Sequence, residues 1–72
     1  MKFFIVAESK DLQTFSFSVN AMGASHASNK AYKYLTRALD VMPKQITTIR
    51  GSSFDMLKDY VKAYPFPEIK IK

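Results

Sequence analysis

His26 is the single imidazole in this chain, and it lies between Ser25 and Ser28, where a nucleophile would have to be sought. A serine nucleophile needs a base within hydrogen-bond reach and a third group that holds the base in place. Side chains next to each other in a helix point apart, and no acid lies near His26 in the sequence. His26 therefore reads as a surface residue at a helix start. A zinc site needs three or four nitrogen, sulfur or carboxylate ligands. Cysteine is absent, and the six acids, Glu8, Asp11, Asp40, Asp55, Asp59 and Glu68, are scattered. Asp55 and Asp59 share a helix face at i and i+4, but Asp55 is explained by the positive end of the helix dipole. A carboxylate pair of the glycosidase kind would also need a cleft around it, for which a chain of 72 residues has little material. The two glycines, Gly23 and Gly51, are too few for a phosphate loop or a dinucleotide fingerprint. The expectation is a protein that is not an enzyme, with no metal site and no cofactor.

Binding chemistry is better represented. Lys30, Lys33 and Arg37, spaced i, i+3 and i+7, fall on one helix stripe with no acid between them, and Lys44 and Arg50 extend the positive set. Placed in the first half of the helix, Lys30 and Lys33 gain nothing from the macrodipole. The net charge is +5 and the pI near 9.6, which favours an acidic protein surface or nucleic acid. The plainer account of the stripe is a solvated helix face. A second candidate surface is the serine row Ser16 and Ser18, flat and hydroxyl-lined, suited to a protein partner or a second copy of the chain. It lacks the exposed aromatics on which sheet-based RNA binders stack bases. The third is the aromatic group Tyr60, Tyr64 and Phe66 around Pro65 and Pro67, which either anchors in a partner's pocket or packs the tail onto the domain.

These residues need elements to position them. Residues 2–8 form a short run rich in aromatic and β-branched types, apolar on both faces, as suits a central strand covered on both sides. The apolar stretch after Lys2 stops at Glu8, too short for a signal peptide's core. No stretch approaches a membrane span. Residues 14–21 alternate, with Phe15, Phe17, Val19 and Ala21 inward and Ser16 and Ser18 outward. The outer apolar set of the first strand, Phe3 and Ile5 or Phe4 and Val6, needs cover from a partner or from the C-terminal segment. A helix is expected from about His26 to Asp40, capped by Ser25 or Ser28. Its buried stripe is Ala27, Ala31, Leu35 (or Tyr34), Ala38 and Leu39, and Pro43 stops it. Residues 45–50 read as a third strand. Phe54, Leu57, Val61 and Tyr64 repeat as an amphipathic second helix, and residues 68–72 alternate as a short edge strand.

The expected fold is one α+β domain over 1–72, a small antiparallel sheet with helices on one face, in the order β-β-α-β-α with a short C-terminal strand. Over residues 2–50, its layout of hairpin, alanine-rich basic helix and third strand resembles that of many small proteins. Some of these are ribosome-associated and others are phage-encoded host inhibitors. The expected role is a small regulatory or inhibitory binding protein in the cytoplasm, of the phage type or otherwise. Its macromolecular partner is expected to be a protein rather than nucleic acid, with no membrane association and a homodimer as one option. The alternative is a nucleic-acid-binding module that contacts phosphates through the basic helix face.

Overall fold

Aromatic and β-branched side chains fit a pleated surface, and they fill positions 3–6 of a strand, β1, that spans Lys2–Ser9 in the computed structural model. The structure describes residues 1–51 and 66–69. After β1 come strand β2 (Thr14–Asn20), helix α1 (Ala24–Lys33), a π-helical turn over Tyr34–Ala38, and strand β3 (Pro43–Arg50). The strands form one antiparallel sheet in the order β2-β1-β3. The chain is thus of the α+β type. Central β1 places Ile5 opposite Phe17 on one side and Thr48 on the other. The expected second helix over 54–64 lies outside the described residues. Of the expected C-terminal strand, Glu68 and Ile69 are described, and Glu68 forms an isolated parallel bridge with Ser18.

The turn between β1 and β2 is organised by Ser9, which is 1% exposed. Its hydroxyl donates to the Asp11 carboxylate and accepts from the Gln13 amide at 3.0 Å. The Leu12 amide donates to the Ser9 carbonyl at 3.1 Å, and Leu12 follows with φ 66°. Three-residue hairpin loops end in this left-handed position, which glycine fills at least steric cost. Leu12 is instead 75% exposed, so its side chain recovers little from burial. Leu12→Gly is expected to raise the unfolding free energy by about 0.5–1 kcal/mol, seen as a higher urea midpoint with an unchanged slope. A lower midpoint would mean that the leucine makes a contact worth more than its strain.

One face of the sheet meets the helix. Phe3, Ile5 and Ala7 of β1 and Phe17 and Val19 of β2 pack with Ala27, Ala31 and Leu35 into a single core. Ala27 and Ala31 have no exposed surface, and their small size lets α1 lie close over the phenylalanines. Tyr34 meets Phe17 edge-on, with ring centroids 5.0 Å apart. The helix start differs from the serine caps expected at Ser25 or Ser28. The cap is Gly23, extended at φ −168°, with no side-chain capping bond. The Ala27 amide closes the first turn on the Gly23 carbonyl at 2.9 Å, so both serines lie inside the helix.

The helix end also departs from expectation, because regular α-geometry stops at Lys33. The Thr36 hydroxyl donates back to the Tyr32 carbonyl at 2.8 Å, a bond that competes with the main-chain ladder and bends helices. The next turn widens, and the Leu39 amide reaches the Tyr34 carbonyl, five residues back, at 3.2 Å. The extra residue shifts the stripe. Leu35 stays buried, while Ala38 is exposed and Leu39 is 37% exposed instead of lying under the helix. Asp40, at φ 52°, reverses the chain, a conformation Asp tolerates better than most residues. Pro43 opens β3, two residues before the expected start, at a first-strand position where a missing amide does little harm.

Gly51 follows β3. A Cβ placed there would lie 2.9 Å from the Lys2 carbonyl oxygen, a main-chain atom that cannot swing aside. Gly51→Ala is expected to destabilise the chain by about 1–3 kcal/mol, measured as a lower melting temperature. An unchanged melting temperature would mean that the end of the β1–β3 ladder yields freely.

Candidate functional site

The outward side of α1 is built by what the inward side takes. With Ala27, Ala31 and Leu35 buried, helical geometry turns Asn29, Tyr32, Lys33 and Arg37 to solvent, and all four are exposed. Tyr32 is the aromatic of this face, 48% exposed. Residues 12–39 contain Lys30, Lys33 and Arg37 and no Asp or Glu. Among the described residues, no acid pairs with Lys33 or Arg37.

The five expected cations do not form one patch. Lys30 is half-buried, and its ammonium donates to the Asn20 carbonyl at 2.7 Å, which ties α1 to the end of β2. Lys44 lies 3.7 Å from Glu8 in an exposed ion pair, worth at most about 1 kcal/mol. Arg50 is exposed opposite Phe3, whereas Lys44 sits beside the Glu8 end of β1. Six residue steps of strand separate them, roughly 20 Å. Regular helix ends at Lys33, so Lys30 and Lys33 occupy the last α-turn, where cations suit the dipole. Their placement is therefore less unusual than the expected helix bounds implied.

The serine face is also different from the row expected. Ser16 is half-buried, and Ser18 has no exposed surface. The 66–69 segment lies against it. The Ser18 amide donates to the Pro67 carbonyl at 2.9 Å, the Ile69 amide donates to the Ser18 carbonyl at 2.8 Å, and the Ser18 hydroxyl reaches the Phe66 carbonyl at 3.3 Å. Phe66 packs edge-on against Phe4, with centroids 5.2 Å apart, leaving Phe4 5% exposed. Of the two ways to cover the outer row of β1, the chain uses its own C-terminal segment at Phe4. Phe66 thus packs inward. Tyr60 and Tyr64 lie outside the described residues.

His26 is exposed at the helix start, and its Nδ1 accepts from the Met22 amide at 3.2 Å. Among the described residues no three His, Cys, Asp or Glu side chains converge as a metal site would require. Nor, among the described residues, does any buried side-chain nitrogen or oxygen lack a partner. A cleft of about 390 Å³ separates Lys10, Asp11 and Gln13 of the hairpin turn from residues 39–42. Asp11 is already engaged by Ser9, and His26 lies at the other end of the helix. No helix among the described residues is long and apolar enough to cross a membrane. Comparison with protein-family models, curated proteins and solved structures finds no match.

What sequence reading missed on the helix face is Tyr32. The signal was present, because Tyr32 falls off the buried stripe of Ala27, Ala31 and Leu35 by one residue. A tyrosine in a helix, however, is as readily assigned to core.

Proposed function

We propose that this chain is a small non-catalytic binding protein, a regulator or inhibitor that acts by occupying a protein partner, and that it docks an acidic surface of that partner through Tyr32, Lys33 and Arg37. The observation that supports this most is the acid-free outer face of α1, which exposes two cations, Lys33 and Arg37, and an aromatic, Tyr32. Tyrosine and arginine are the residue types most often found at the energetic centre of interfaces. Complementary charge around them speeds encounter and selects the partner. The proposal keeps the cytoplasmic setting.

Phosphate-backbone binding is the second reading, and it uses the same cations. Magnitude separates the two. Even with Lys30 released from the Asn20 carbonyl, three phosphate contacts by Lys30, Lys33 and Arg37 give a salt slope of about −2.7, or a roughly 40-fold loss between 50 and 200 mM salt. Dedicated nucleic-acid binders make 6–10 such contacts and lose about 10³–10⁵ over that range. A face with at most three cations thus grips nucleic acid weakly. Titration of a fluorescent 20-base-pair duplex across that salt range tests this. Negligible binding at 150 mM salt is expected. Sub-micromolar affinity with a slope steeper than about −5 would favour nucleic acid as the partner.

A further inference from the structure

The edge of β2 is a docking site already filled once. Two main-chain bonds hold the 66–69 segment to Ser18, from the Ser18 amide at 2.9 Å and to the Ser18 carbonyl at 2.8 Å. They are the strand-addition bonds that any extended segment can make. The remaining contacts read side chains. Asn20 donates to the Glu68 carboxylate at 2.9 Å, the Phe66 ring meets Phe4, and Ile69 packs on the core. Together they specify an extended Phe-Pro-Glu-Ile segment. Pro67 biases the residue before it toward extended conformations, so the segment is shaped as a strand wherever it docks.

We propose that this edge also accepts the 66–69 segment of a second copy, so that two chains exchange segments and form a dimer. The second copy carries the one sequence that the site is seen to fit. Residues 52–65 number fourteen, a length of chain whose upper limit of reach is roughly 46 Å, against a longest molecular dimension of 31 Å. The bonds are the same within one chain and between two, so exchange requires no new contact. The tether then decides the balance. Within one chain the segment competes for its own edge at an effective concentration on the order of 1 mM. Chains are monomers well below that concentration and exchange near it. The exchange does not depend on the role of the helix face.

The absence of cysteine makes the test clean. Asn20→Cys and Glu68→Cys are made in separate chains and mixed at about 1 mM in a glutathione redox buffer. A disulfide between unlike chains then reports the Asn20 to Glu68 contact formed in trans. We expect this heterodimer to exceed the combined yield of the two like-chain disulfides at least fivefold, and to vanish at 10-fold dilution or below. The unmodified chain should show dimer by sedimentation equilibrium over the same range. An unlike-chain yield equal to random pairing, or an unmodified chain that stays monomeric at several millimolar, would overturn the proposal. So would a dimer that forms without enriching that disulfide.

Discussion

Phe3→Ala is expected to leave the chain largely unfolded at room temperature. Phe3 has no exposed surface, lies on the central strand and faces the core beneath α1. Its cross-strand neighbours are Val19 and Arg50. The first is itself buried, and neither can swing in to fill the space of a lost ring. Removing a core phenylalanine costs about 3–5 kcal/mol, and a single core in a chain this small supplies roughly 3–5 kcal/mol of net stability. The two are equal in size, so this substitution consumes the whole margin. Loss of the cooperative urea transition, followed by circular dichroism, is the outcome to look for. A variant that still unfolds cooperatively within about 1 kcal/mol of the parent would show that stability resides elsewhere, in residues 52–65 or in the 66–69 contact.

The second large effect concerns binding. Lys33→Glu combined with Arg37→Glu should lower affinity for the acidic partner at least 100-fold. Each reversal removes an attraction and sets like charges against each other, a juxtaposition that costs several kcal/mol at an interface. The same pair should leave folding stability within about 0.5 kcal/mol of the parent, because both side chains are exposed. Lys44→Glu serves as the control. Its cation already faces Glu8 at 3.7 Å, away from the helix face, and its reversal should change affinity less than threefold.

Strand content was legible in the sequence because period-two alternation and β-branched runs leave few options over residues 2–8, 14–20 and 45–50. The small-residue stripe Ala27, Ala31 and Leu35 was legible for a similar reason. Helical spacing with alanines leaves one face able to approach a sheet. The ends of the helix were not legible. Gly23 caps with its main chain in an extended conformation, which no side-chain pattern announces. The widened turn depends on the Thr36 hydroxyl choosing a main-chain carbonyl, a choice that a residue's type permits without dictating.

The candidate site was half legible. Charge spacing pointed to the helix face, but the sequence could not separate a free cation from one already engaged. Lys30 spends its ammonium on the Asn20 carbonyl, and Lys44 has Glu8 beside it. Ser18 shows the same difficulty in reverse. Alternation turns it outward from the helix side, yet a segment 48 residues later in the chain closes over it. Contacts of such long sequence separation are set by the folded arrangement of the whole chain, so local periodicity carries no trace of them.

The claim that the helix face docks a protein is tested most directly by affinity capture from native-host lysate. The parent chain and the Lys33→Glu, Arg37→Glu pair are used side by side, each with and without nuclease. The account predicts one stoichiometric protein that stays with the parent after nuclease and is absent from the double variant. Equal capture by both chains, recovery that disappears with nuclease, or no stoichiometric protein on the parent would contradict it.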